Sequence, residues 1–230
     1  MSRQGNGDLE GVSGRMIAVI FDMDGVMIDN NKYHKKSWKA FCKKYGFDLS
    51  DDNLKKHVYG KINSEIHNYL FGKEISAVQS SEYTQEKEKI YRDLFENDIK
   101  PVNGLLDFLE QLHQHKILRA IATSAPPVNV EWVIEKIGIG KYFTVIVDDT
   151  MVNKGKPNPE VFLKASRALK VDPSLCVVFE DSLSGVDAAI NAGMKVIAIT
   201  TTHTKDELSK ADLVIDDFTE VDVDKVRLLL

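Results

Sequence analysis

Cysteine is almost absent from this 230-residue chain, and its two copies stand in apolar surroundings. Cys42 falls in a helical pattern and Cys176 opens a strand-like run. They read as small core residues of a reducing compartment, which excludes a disulfide framework and a cysteine metal site. Long apolar runs are missing too. None approaches the ~20 residues that a bilayer span requires, and the N-terminus lacks a signal-peptide core, so a cytoplasmic location is expected. Nor is there an excess of positive charge: 30 Lys and Arg against 35 Asp and Glu leave −5, with no general attraction to nucleic acid or an anionic membrane. What remains is a 43% hydrophobic chain, long enough to bury one large domain and one small one.

The most informative stretch is Ala18-Val19-Ile20-Phe21-Asp22-Met23-Asp24-Gly25. An apolar run of strand length delivers two carboxylates and a glycine into a loop, which is where a parallel sheet keeps its chemistry. Alternation about Met23 projects Asp22 and Asp24 in similar directions, and Gly25 permits a tight turn. Acids so close repel each other. A hard cation such as Mg²⁺ on one carboxylate, and a proton on the other that makes it a general acid, would relieve the conflict. The plainer reading is a strand that ends in a polar turn.

Three more apolar runs end in the same manner. Residues 117–122 lead into Thr123-Ser124-Ala125, Val145-Ile146-Val147 precedes Lys154-Gly155-Lys156-Pro157, and Cys176-Val177-Val178-Phe179 leads into Glu180-Asp181-Ser182, with Gly185 beyond. Singly, Thr123-Ser124 reads as a helix cap, Lys156 as a surface lysine ahead of a proline-started helix, and Glu180-Asp181-Ser182 as a capping cluster. Jointly, the order acids, hydroxyl, lysine, acids on separate strand-loop units is hard to obtain by chance.

With these four motifs in order, residues 16 to 216 resemble the haloacid dehalogenase superfamily of phosphotransferases. Within it they look most like the β-phosphoglucomutase-like group, in which a helical cap is inserted after the first strand. The resemblance implies that Asp22 is a nucleophile carrying an aspartyl phosphate and that Asp24 is the general acid and base. It implies Mg²⁺ held by Asp22, the Asp24 carbonyl and Asp181, with Glu180 direct or acting through water. Thr123 would donate to phosphoryl oxygens together with neighbouring backbone N–H groups, and Lys156 would neutralise charge. Displacing a halide would need neither Asp24 nor the Glu180-Asp181 pair.

The expected architecture is a doubly wound parallel α/β sheet of Rossmann-like type, with a small all-helical cap after the first strand. Residues 16–30 and 98–230 would form the core and 31–97 the cap, while the glycine-rich and polar 1–15 would be a disordered tail. In the cap, Asp29 or Asn30 would start a helix through Tyr45, its apolar side using Tyr33, Ser37, Trp38, Phe41 and Tyr45. Further helices are predicted at 51–58, 62–71, 75–80 and 82–97, with hinges near 29–31 and 97–101. Strands are predicted at 117–122, 143–147, 175–179, 195–199 and 213–215.

Substrate choice would lie with the cap, which can also shield an aspartyl phosphate from water. His34, in the pattern Tyr33-His34 with Trp38 following, matches a histidine of β-phosphoglucomutases. Lys61 or Asn63 could contact the distal part of a substrate, Ser124 is a further substrate-binding candidate, and Lys87 could contribute from the last cap helix. Three positions depart from the mutase pattern: Asn30 stands for a threonine, Ala125 for a serine, and Asn63 lies near their cap arginine. A mutase must hold a second phosphate, a task that suits arginine's bidentate fork. Asn129, against that, can be matched to the mutases' phosphate-contacting asparagine across a one-residue insertion. The expected activity is therefore a Mg²⁺-dependent phosphatase of a small phosphorylated metabolite, a sugar or polyol phosphate, working as a monomer. A sugar-phosphate mutase is the alternative, and a non-catalytic phospho-ligand binder a remote one.

Overall fold

A computed structural model describes residues 16–58 and 63–230. Among these, six strands form one sheet: β1 (Ala18–Phe21), β2 (Leu118–Ala122), β3 (Val145–Val147), β4 (Cys176–Glu180), β5 (Lys195–Ile199) and β6 (Leu213–Ile215). Helices α1 (Asn31–Lys44), α2 (Asp51–His57), α3 (Asn63–Phe71) and α4 (Ala77–Phe95) follow β1. The later helices are α5 (Leu105–Gln114), α6 (Pro127–Ile137), α7 (Glu160–Leu169), α8 (Leu183–Asn191) and α9 (Val223–Leu228).

The strand order is β3-β2-β1-β4-β5-β6, with every neighbouring pair parallel. That is the Rossmann-like, doubly wound order, in which chemistry collects beyond the carboxyl ends of the strands. Side-chain alternation along β1 explains the two layers of helices. Val19 and Phe21 join one apolar cluster with Phe108 and Leu109 of α5 and Val133 of α6. Ala18 and Ile20 join a second cluster with Phe162 of α7 and Val186 of α8. Cys176 belongs to that second cluster, and Cys42 to a third made by α1 to α3 with Trp38, Phe41, Leu54, Ile66 and Leu70. Both cysteines are free and buried, as expected of small core residues.

The predicted strands and the first three cap helices match the observed elements to within about two residues. One boundary differs. The helices expected at 75–80 and 82–97 are a single α4, because Ser80-Ser81 contains no glycine or proline to break the chain. Ser76 caps this helix by accepting from the Gln79 N–H. The chain returns from α4 beside its point of departure: Ile28 bridges to Pro101, and the Tyr33 hydroxyl donates to Asp98 at 2.5 Å. Among the described residues no helix is long and apolar enough to cross a membrane. The expectations for residues 1–15 and for Lys61 lie outside the described residues.

Candidate active site

Register brings the four motifs together. Phe21 pairs with Ile121 on one side and with Phe179 on the other, so the chain leaves β1, β2 and β4 at one level. The Asp22 N–H still donates to the Phe179 carbonyl at 3.0 Å, which fixes its side chain at the mouth of the sheet. Lys156 arrives from the loop after β3 and places Nζ 2.7 Å from Asp22 Oδ1 and against Glu180 Oε1. Its side chain is only 8% exposed, so the surface-lysine reading is excluded.

Carboxylate oxygens of Asp22, Glu180 and Asp181 lie within 4.8 Å of one another, and all three residues are buried. Burial raises Asp22 well above the carboxylate range, and Glu180 and Asp181 add to this against the opposing Lys156. Burial and Glu180 likewise push Asp181 up to about 7, opposed by Thr202, Lys156 and Asn31. Burial alone would lower Lys156, but Asp22 and Glu180 outweigh it and raise it. Three hard oxygen donors converging on one point fit a Mg²⁺-sized cation, whose charge would relieve the repulsion.

Two glycines make this crowding sterically feasible. A Cβ on Gly25 would collide with the Asp181 carboxylate, and Gly25 also has a φ of +78°; a Cβ on Gly185 would collide with the Glu180 carboxylate. Glu180 Oε2 accepts from the N–H groups of Asp181 at 2.9 Å and Ser182 at 3.0 Å, and from Ser182 Oγ at 3.0 Å. Ser182 in turn accepts from the Gly185 N–H as the N-cap of α8. Capping and the acidic site coexist here.

Thr123 is buried at the end of β2, and its Oγ accepts from the Ala125 N–H at 3.1 Å. The hydroxyl proton is thereby left to donate toward an anion. Pro126 precedes α6 without a side-chain cap, so Thr123 and Ser124 are not that helix's cap. Ser124 is exposed at the loop tip.

Asp24 belongs to a different neighbourhood, made by the helical insert. Asn30 Nδ2 donates to Asp24 Oδ1 at 2.7 Å, and His34 Nε2 lies 3.4 Å from Asp24 Oδ2. On the other side of the imidazole, Lys87 Nζ sits 2.9 Å from Nδ1. An ammonium can only donate, so Nδ1 is the acceptor and Nε2 carries the proton directed at Asp24. The His34 ring stacks on Tyr91 with centroids 4.0 Å apart. Asn30 does not cap α1 with its side chain. Its Oδ1 accepts from the Gly25 N–H at 3.1 Å, and its Nδ2 also donates to the Tyr91 hydroxyl at 2.7 Å. Loop and insert share this amide, through Gly25 and Asp24 on one side and Tyr91 on the other.

Burial would raise Asp24, but the hydrogen bonds from His34 and Asn30 and the nearby Lys87 charge oppose it, and the carboxyl is held below its ordinary value. The crowded nest raises Asp22, while the donors around Asp24 lower it.

Asn129, in the first turn of α6, is buried with its amide occupied: Nδ2 donates to Glu88 Oε2 and Oδ1 accepts from Arg92 Nη1, both at 2.7 Å. Glu88 Oε1 accepts from Lys87 Nζ at 2.9 Å. Asn63 is the first residue of α3. Sequence reasoning missed Glu88 and Arg92, as it missed Asn31 and Thr202, which donate to Asp181 Oδ2. The threonine run 200–202 directly after a predicted strand was the one available signal for Thr202.

Comparison with known proteins agrees with this geometry. The family model described as haloacid dehalogenase-like hydrolase matches residues 19–199. A phosphorylated carbohydrates phosphatase of Thermotoga maritima is 33% identical over 186 residues, covering 79% of this chain and 84% of the relative. A β-phosphoglucomutase of Bacillus subtilis is 31% identical over 193 residues, covering 80% and 83%. Among solved structures, a family IA, variant 3 hydrolase from Entamoeba histolytica superposes with a TM-score of 0.85 at 35% identity, covering 93% of this chain and 99% of that one. The chain spans 57% of the length of one curated relative it matches and 94% of another.

Proposed function

From its place in the haloacid dehalogenase-like hydrolase family, to which this chain belongs, we propose that it is a Mg²⁺-dependent phosphatase of a small phosphorylated metabolite, a sugar or polyol phosphate. Asp22 attacks phosphorus and the leaving oxygen departs, so the phosphoryl group rides on the aspartate. Lys156 neutralises charge on Asp22 and on the transferring group, and the Thr123 hydroxyl donates to an equatorial oxygen. Asp24 gives its proton to the departing oxygen and then takes one from the water that releases phosphate. Its hydrogen-bond donors lower its affinity for a proton, and the dianionic charge of an arriving phosphate raises that affinity, so that Asp24 takes up a proton from solvent as the substrate binds. Asp22, the Asp24 carbonyl and Asp181, with Glu180 beside them, would hold Mg²⁺, which supplies charge neutralisation at the carboxylates and phosphoryl oxygens. The helical segment 31–97 serves as the lid that excludes stray water.

The observation that favours hydrolysis over mutase turnover is the environment of Asn129. Its amide is engaged by Glu88 and Arg92, and nearby Asp149 keeps a buried Oδ1 without a hydrogen-bond partner. Burial, then Asp148 and Glu88, push Asp149 up to about 6. With the Glu88 and Asp149 carboxylates here, and with Arg92 already bonded to the Asn129 oxygen and Lys87 to Glu88, this place is a poor seat for a second phosphate. The Bacillus subtilis relative supports the alternative, a sugar-phosphate mutase.

The test is Mg²⁺-dependent release of phosphate from a panel of sugar and polyol monophosphates. β-Glucose 1-phosphate with catalytic glucose 1,6-bisphosphate is included, and glucose 6-phosphate is followed alongside free phosphate. Free phosphate from the monoesters is the expected result. Dominant glucose 6-phosphate would establish the mutase, and turnover of nothing would leave the binder.

A further inference from the structure

Helix α4 is joined to α6 along its C-terminal half. Glu88 and Arg92 meet Asn129, Tyr91 and Phe95 pack on Trp132 with centroids 5.9 and 6.1 Å apart, and Glu96 pairs with Lys136. The spacing follows one face of each helix: 88 and 92 on α4 with 96 at its C-cap, and 129, 132 and 136 on α6. The polar contact nearest the active site continues into it without a gap. Asn129 donates to Glu88, Glu88 accepts from Lys87, Lys87 donates to His34 and His34 faces Asp24, through contacts of 2.7, 2.9, 2.9 and 3.4 Å. Asn129, Glu88 and Lys87 are each at most 4% exposed, so water cannot substitute for a lost partner at low cost.

We infer that Glu88 and Asn129 are positioning residues, which convert the seating of α4 on α6 into the orientation of the Asp24 carboxyl. The inference rests on the role given to Asp24 above. Lys87 has three N–H donors and no fixed direction of its own. Glu88 Oε1 fixes where the ammonium points, and Asn129 fixes Glu88 by holding its second oxygen. With the ammonium on Nδ1, the imidazole proton stays on Nε2, facing Asp24. If α4 lifts from α6, Glu88 loses its anchor, Lys87 is free to turn, and the imidazole can place its proton on either nitrogen. The Asp24 carboxyl is then held in one direction only while α4 is seated, which ties the proton transfer to a covered site.

Asn129→Asp sets a carboxylate against the Glu88 carboxylate and opens the contact. Adding Glu88→Gln restores an amide against a carboxylate with the partners exchanged. Turnover of an alkyl phosphate such as glycerol phosphate should fall about tenfold in N129D with KM within about twofold, while p-nitrophenyl phosphate, whose leaving group needs no proton, changes by less than about threefold. The E88Q/N129D pair should regain most of the loss. Ring ¹⁵N shifts of His34 should report an unprotonated Nδ1 in the wild type and a mixture in N129D, with the melting point confirming a folded protein. Should N129D not fold, E88Q alone is read in the same way. A raised KM on both esters without rescue would make Asn129 a substrate ligand and overturn the inference, as would His34 shifts that do not move. Wild-type protein inactive on every phosphomonoester would defeat the phosphatase reading instead, and the ring shifts would still decide this one.

Discussion

Asp22 and Asp24 are two residues apart, yet they answer to different parts of the molecule. Asp22 sits in a nest built from strand ends, where Lys156, Glu180 and Asp181 surround it. Asp24 is held by helical partners that arrive from 30, 34 and, through His34, 87. The first neighbourhood gathers negative charge around one cation and raises its carboxyl; the second gathers donors and lowers its carboxyl. One loop therefore presents two acids in opposite surroundings, and a cation held among the strand-end carboxylates would bring Asp22 back to the ionised form that attack on phosphorus needs.

The largest effects should come from the strand-end side. Asp22→Asn removes the proposed nucleophile, and phosphate release should fall by at least ~10⁴, measured with both an alkyl and an aryl ester. Residual activity above that level would move the nucleophile elsewhere. Lys156→Met should follow, with a loss of about 10²–10³ in kcat from missing charge stabilisation. It should also destabilise the fold by on the order of 3 kcal/mol in urea unfolding, because the lysine is buried between two carboxylates. A loss under about threefold would reduce Lys156 to a structural role.

The contrast between the two neighbourhoods also decides what can be read from sequence. Asp22, Thr123 and Glu180 were legible because each ends an apolar run, and parallel pairing carries residues at the ends of runs to the same edge. Lys156 needed only the same strand-loop logic one loop further on. Glu88 was hidden in Glu86-Lys87-Glu88-Lys89, a charge run that reads as a solvated face, yet Lys87 and Glu88 are 3% and 4% exposed while Lys89 is exposed. Their burial depends on the docking of α4 against α1 and α6, a tertiary fact with no local periodic signal. Asn30 stands at the N-cap of α1 as read, but where its side chain goes was hidden for the same reason: its partners, Asp24 and Tyr91, come together only after folding.

Within the helical insert, His67 offers a probe that leaves the strand-end nest untouched. It is fully buried, Nδ1 lies 2.8 Å from Ser80 Oγ, and Nε2 has no partner. Burial pulls it from 6.5 down to about 4. The unfolded chain therefore binds a proton that the folded chain refuses between these values, so stability is complete above about pH 6.5 and falls as pH drops toward 4. Wild type should lose about 2 kcal/mol more than His67→Gln between pH 7 and pH 5, in paired urea unfolding curves. Parallel curves for the two proteins would show that His67 protonates as readily folded as unfolded.

Tyr91→Phe is the smallest change and separates orientation from stability on the Asp24 side. The hydroxyl accepts one proton of the Asn30 amide, while the other goes to Asp24, so removing it leaves a buried donor unpaired without touching the carboxyl directly. The stability cost should be about 1 kcal/mol. Asn30 would still be held by the Gly25 N–H and by Asp24, and the His34 ring would keep its stack on the aromatic face. Turnover of an alkyl phosphate should therefore drop by no more than about threefold, with the aryl ester unaffected. A loss as large as that of N129D would mean that Asn30, and not the lysine–histidine line, governs where Asp24 points.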